Sequence, residues 1–401
     1  MTGCHPQRYE CPYLPVPPNR GDARTYSSAV ATIPDSRPRR IRTLTALFVF
    51  LVSALAPRAG LDAASTGRWV TVRTRPGAGA PTVTKYVTAR ERAVMEAGAR
   101  LARRVGTGSA AWQSDADVVW HVEATAGTSA TWGAQRLILD SLASAVVRAG
   151  GLSPGWRVDV VVARSRGYVS RTLAQLRCNA DLSRTGGVVL MGATVCGRHV
   201  IVMNITGFLF LVRSDQELTE QLETRAEPAL SRIPYRLNVR NPGALAHEFA
   251  HMWRAAESNG AVPADEPAWF AEGFAEYWAG IATVASRWSA RTYEDWHVLR
   301  ARDFVDWQDQ CREPIASYDS ATTLGQGCEY HLGLLAVEYL FSRFDSMAGV
   351  VEAVRTVAGN GSFADGFRAA FGVSLEQFEA DADGYIAAVR RASRMVPPRR
   401  K

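Results

Sequence analysis

Lysine is almost absent from this 401-residue chain: of its 46 Lys and Arg residues only Lys85 and Lys401 are lysines. The bias reads as arginine-favouring codon usage rather than selection for phosphate contacts, and nowhere do basic and aromatic residues interleave as on a nucleic-acid surface. The net charge of +7 is carried by the ends. Residues 1–60 hold eight arginines against three acids, and Arg390 to Lys401 holds six basic residues and no acid, leaving 32 basic against 36 acidic between. Nucleic acid is therefore excluded as the expected partner. A bilayer-length apolar run is missing as well: the uncharged stretch from Thr43 to Ala56 is fourteen residues, short of the ~20 that a spanning helix needs. None of the six cysteines is spaced as CxxC, which removes a cysteine zinc site, and there is neither an internal repeat nor a long low-complexity tract.

Behind the basic cluster Arg37 to Arg42, the stretch from Thr43 to Ala56 reads as the apolar core of an export signal. Ala54-Leu55-Ala56 has the small-x-small form of a cleavage site but is followed by Pro57, and Asp62-Ala63-Ala64 offers a second position. Residues 1–64 are thus expected to be a tail and signal peptide, with no stable membrane span after cleavage and a product secreted or kept in the cell envelope. Cys4 and Cys11 leave with the signal. Cys178, Cys196, Cys311 and Cys328 remain, and four cysteines in an exported chain favour two disulfides, with nearest-neighbour pairing, Cys178–Cys196 and Cys311–Cys328, preferred among three connectivities.

The chemistry is concentrated between Asn241 and Gly280. His247, Glu248 and His251 form an HExxH pattern; a step of four residues on a helix places the two histidines one above the other, so that both imidazoles can grip one ion. Glu248 points to the rim of that face, where it can take a proton from water instead of ligating. Catalytic zinc typically takes three protein ligands, and Glu272, in Trp269-Phe270-Ala271-Glu272-Gly273-Phe274-Ala275-Glu276-Tyr277, is the candidate for the third. Asn241-Pro242 predicts a helix start with Asn259-Gly260 as its stop, and Pro267 predicts the start of a second helix. Trp269, Phe270, Phe274 and Trp278 bury two faces of that second helix and leave Glu272 and Glu276 one turn apart. Glu276 then suits a carboxylate that orients a ligating imidazole from behind. His121, His199 and His297 have no partner spacing and read as structural; His331 reads as packed or solvated.

HExxH followed by Trp-x-x-Glu-Gly-x-Ala-Glu-Tyr resembles the gluzincin metallopeptidases, the group that includes thermolysin-like and aminopeptidase-N-like enzymes. The resemblance covers roughly forty residues, with weaker support to about Phe341. It implies an α+β, thermolysin-like zincin domain, Zn²⁺ held by His247, His251 and Glu272, and Glu248 as general base. It also implies Glu276 as the acid behind a ligand histidine, and a peptide or protein as substrate. Tyr330-His331-Leu332-Gly333, ahead of an apolar helix, is similar to a Tyr-x-x-Gly element whose tyrosine stabilises the oxyanion, which makes Tyr330 a second catalytic candidate. The Gly-x-Met-Glu-Asn element that holds a free amine in aminopeptidase-like members is missing, since Val202-Met203-Asn204 lacks the glutamate, and the loop between His251 and Glu272 differs slightly in length. Both departures indicate a divergent branch. The competing class is a non-hydrolytic exported zinc-binding module acting through surface contacts.

Periodicity elsewhere predicts strands over Val118–Glu123, Trp156–Ala163, Gly187–Met191 and Arg198–Asn204, and an amphipathic helix over Thr131–Arg148. The resemblance implies that Arg198–Asn204, shortly before the zinc helix, is the edge strand that binds extended substrate in gluzincins. Helices are predicted over Leu332–Phe344, Met347–Ala358 and Phe363–Phe371, and a last one opens with the Ser374-x-x-Gln377 capping box. These give residues 116–392 as the catalytic domain, 65–115 as a poorly patterned segment and possible propeptide, and 393–401 as a basic tail.

Overall fold

Alternating valines at 158, 160 and 162 predict a strand with one buried face, yet the strand they form is buried on both. In the computed structural model β4 (Val158–Ala163) pairs in parallel with β3 (Val118–Val122) on one side and β6 (Val200–Asn204) on the other. Val160, Val161, Val162 and Ala163 are accordingly all fully buried. The sheet is completed by β5 (Gly192–Val195), antiparallel to β6, in the order β3-β4-β6-β5. One face of the sheet, with Val161, Ala163, Val200 and Val202, packs on Val169 and Leu173 of α4 (Arg166–Gln175). Val158, Val160, Val162, Ile201 and Met203 instead join the main core, which includes α3 (Ala130–Arg148) after the short α2 (Ala124–Gly127).

One expectation for this sheet needs correction. Arg198–Asn204 is not the edge strand, because it is hydrogen-bonded on both sides; among the described residues the outer position beside it belongs to β5. Gly187–Met191 lies outside the described residues, and the strand that pairs with β6 begins at Gly192.

The structure describes residues 67–73, 82–107, 118–127, 130–152, 156–163, 165–178, 192–195, 200–204, 243–258, 262–286, 291–307, 311–318 and 327–396, all within one unit. The signal-like stretch, Cys196, His199, Asn241-Pro242 and Asn259-Gly260 lie outside them. No described helix is long and apolar enough to cross a membrane.

Within the segment that shows no pattern, the described residues form regular elements. β1 (Arg68–Arg73) and β2 (Thr82–Val87) form an antiparallel pair, followed by α1 (Ala89–Gly106). Thr88 caps α1, its hydroxyl accepting from the Glu91 N–H at 3.1 Å. After the sheet the chain is helical: α5 (Ala244–Glu257), α6 (Ala268–Ala285), α7 (Tyr293–Trp307), α8 (Cys328–Phe341), α9 (Met347–Ala358), α10 (Phe363–Phe371) and α11 (Leu375–Arg394). The protein is therefore mixed α+β, mostly helical with small sheets. Helices α9 and α10 keep the bounds their periodicity predicts, and the Ser374 hydroxyl accepts from the Gln377 N–H at 3.2 Å as the capping box requires. Helix α8 begins four residues earlier than Leu332. Gly327, at φ 72°, turns the chain into it, and the Cys311–Cys328 disulfide fixes its first residue with Cα atoms 5.4 Å apart.

Candidate metal centre

Three helices build the site. α5 and α6 are held face to face by Trp253, whose ring meets Phe274 at 5.3 Å and Trp278 at 5.6 Å between centroids. Trp269, Phe270, Phe274 and Trp278 are each at most 1% exposed, the two-faced burial their spacing predicts. α6 and α8 approach more closely than side chains permit. A Cβ on Gly273 would fall 2.2 Å from the Gly333 carbonyl carbon, and one on Gly333 would fall 2.1 Å from the Trp269 oxygen. Glycine is thus required at both places, one residue after Glu272 and three after Tyr330, and this main-chain contact brings the acid and the tyrosine to the same region.

The geometry of the cluster fits a metal ion. His251 Nε2 lies 3.2 Å from His247 Nε2, and Glu272 Oε2 lies 3.3 Å from His247 Nε2 and 3.4 Å from His251 Nε2. A tetrahedral ion about 2.0–2.1 Å from each donor sets neighbouring donors about 3.3–3.4 Å apart, so the three atoms already form one face of such a tetrahedron. Glu272 Oε2 is buried and makes no hydrogen bond, although a buried carboxylate oxygen ordinarily has a partner. His247, His251 and Glu272 can therefore bind a metal ion.

The electrostatics of the cluster are dominated by its own histidines and carboxylates. Burial opposes a charge on His247, but Glu272, Glu276 and Glu248 outweigh it and hold the imidazole well above its ordinary pKa. Burial likewise pushes Glu272 upward, and His251 and His247 more than reverse this, leaving it far below the usual carboxylate range. Together these hold a proton on the cluster that a metal would displace.

Around this centre stand the supporting groups. Glu276 Oε1 lies 3.2 Å from His247 Nδ1, off the hydrogen-bond axis, and its other oxygen pairs with Arg300 of α7. Glu248 is half-buried beside His247. Tyr330 stacks on the His247 ring, 6.0 Å between centroids and 18° between planes; it sits inside α8, in its first turn, not ahead of it. On the far side Arg254 pairs with Glu266 at 2.9 Å, and burial raises Glu266 while Arg254 and His251 pull it down. Glu329 is 1% exposed; burial takes its carboxyl up to about 7, its own N–H opposing this and Glu272 adding to it. His331 is driven down to about 3 by burial and by Arg300, which keeps it neutral.

Every predicted site residue thus meets at one place: His247, Glu248, His251, Glu272, Glu276 and Tyr330. His121 instead pairs with Asp159, Nε2 to Oδ1 at 2.8 Å, and His297 lies in a separate buried network. Sequence reasoning missed Arg300, Glu266 and Glu329. Glu266 and Glu329 adjoin motif residues and could have been found as acids flanking the helix starts at Pro267 and Cys328; Arg300 carries no local signal. No family model, curated protein or solved structure matches this chain.

Proposed function

We propose that the chain is an exported, zinc-dependent metallopeptidase of gluzincin type, with His247, His251 and Glu272 as zinc ligands. One observation carries the reading: three donor atoms from two helices lie 3.2–3.4 Å apart with a buried carboxylate oxygen unspent among them. A thermolysin-like domain belongs to the same proposal, supported by an antiparallel strand, β5, in contact with the helix that bears HExxH. The Cys311–Cys328 disulfide suits the oxidising compartment to which the signal-like stretch would deliver the chain.

Bound zinc would supply Lewis acidity, polarising a scissile carbonyl and lowering the pKa of water to about 7. Glu248, on the rim beside His247, accepts the proton of the attacking water and returns it to the leaving amine. Glu276, itself paired with Arg300, keeps the His247 ring aimed at the centre. Tyr330, stacked on that ring, donates its O–H to the carbonyl oxygen as negative charge develops there. Among the described residues β5 is the outermost strand beside β6, and an extended substrate can pair with its outer side.

Digestion of an unbiased peptide library, with and without chelator and alongside metal analysis, tests the reading. One zinc per chain and chelator-sensitive cleavage are expected. Zinc-loaded protein that cleaves nothing would leave the non-hydrolytic module, for which a proton carrier at Glu248 has no purpose.

A further inference from the structure

Away from the metal centre lies a second group of buried ionisable side chains, and it joins the N-terminal segment to the helices of the site. The Lys85 ammonium of β2 pairs with Glu91 of α1. His297 of α7 meets Glu91 Oε1 through Nε2 at 2.8 Å and both oxygens of Glu338, on α8, through Nδ1 at 2.8 Å. The Tyr293 hydroxyl donates to Glu338 Oε1 at 2.8 Å. Lys85, Glu91, His297, Glu338 and Tyr293 are all 2% exposed or less. Lys85 is the sole lysine before the last residue of an arginine-rich chain, and a compact ammonium fits a closed site that a guanidinium fork would not. Removing one member of such a group strands a buried charge, which is far costlier than never having built it.

Two of the four elements so joined also furnish the metal centre. α7 carries His297 and, one turn on, Arg300, which pairs with Glu276 behind His247. α8 carries Glu338 and also Tyr330 and Gly333. The N-terminal segment is fitted to these helices over its length: α1 passes so near Tyr293 that a Cβ on Gly98 would fall 2.2 Å from its ring. The Arg90 guanidinium lies 4.5 Å over the Tyr339 ring of α8, and Arg68 pairs with Glu294 of α7 at 2.7 Å.

We infer that docking of residues 82–107 on α7 and α8 through this network is a condition for a tight metal site, so that the segment is a permanent part of the mature protein and not a detachable propeptide. The inference rests on the metal reading above but not on hydrolysis. Zinc affinity, by competition with a chelator, is compared for wild type, Glu91→Gln, and Leu173→Ala, which opens the separate cluster under α4. Glu91→Gln should bind zinc about tenfold more weakly, the scale expected of partners behind the ligands, whereas Leu173→Ala should lose melting temperature without losing zinc. Should Glu91→Gln fail to fold, Tyr293→Phe removes one hydrogen bond from Glu338 while keeping the ring, and a smaller loss of affinity is expected there. Wild-type affinity in whichever of the two folds overturns the inference; zinc-free wild type overturns both it and the metal reading. Sequencing the N-terminus of the exported, zinc-loaded protein gives an independent check: a start before Trp69 is expected, and a start beyond Gly106 is fatal.

Discussion

His247 and His297 are both buried and both lie between carboxylates, yet the two arrangements serve opposite ends. At His297 the carboxylates approach opposite ring nitrogens, each at 2.8 Å, and Lys85 adds a second positive charge, so the group closes on itself. At His247 the Nε2 atom, a second imidazole and a carboxylate oxygen converge on one point, and Glu272 Oε2 is left without a hydrogen bond. The same side-chain types therefore make a closed group in one place and a set of converging donors that can bind a metal ion in the other. What separates them is direction: donors and acceptors facing each other neutralise, whereas lone pairs facing a common centre can hold an ion.

The sharpest way to break this contrast is at Glu248, the acid beside the convergent cluster. Glu248→Gln keeps size and ligands but cannot carry a proton, so turnover should fall about 100- to 10,000-fold while zinc content holds. Steady-state kinetics with metal analysis checks this, and unchanged turnover would remove Glu248 from the chemistry. Tyr330→Phe should come next, lowering turnover on the order of a hundredfold with Michaelis constant and melting temperature nearly unmoved. Wild-type turnover in that variant would make the tyrosine a packing residue against His247.

The smallest effect belongs to the closed network. Burial opposes a charge on His297, but Glu338 and Glu91 hold its pKa at about 9, above the ordinary 6.5. A raised folded pKa contributes stability that is fully present below about pH 6.5 and is lost as pH rises through about 9. Melting temperature should therefore decline between pH 7 and 10, and Glu338→Gln should flatten that decline; an equal slope in the two proteins would show that the histidine is not held as described.

The two regions were not equally legible in the sequence. The candidate ligands could be read because an i, i+4 pair on a helix is a local fact, and the aromatic spacing after Pro267 was enough to orient Glu272. Of the two expected disulfides, Cys311–Cys328 is present, and Cys178 is disulfide-bonded while Cys196 lies outside the described residues. The network was invisible because its members are drawn from Lys85 to Glu338, and pairing at that distance leaves no periodic trace. Helix α1 is an intermediate case. Thr88-x-x-Glu91 is a helix-start signal and Val94, Leu101 and Val105 are buried, but Glu91 and Gly98 interrupt the apolar face. The edge strand was misplaced because its position came from the resemblance alone: β-periodicity tells which residues share a face, not how many neighbours a strand has.

The crossing of α6 and α8 at Gly273 and Gly333 has a consequence for how this protein can drift over generations. Because backbone rests on backbone there, the distance between the acid ligand and the tyrosine is set by atoms that every amino acid possesses. Outward-facing positions on either helix are free to accumulate substitutions without retuning the centre, while the two glycines are closed to change. A lineage of such chains would diverge widely around a fixed pivot.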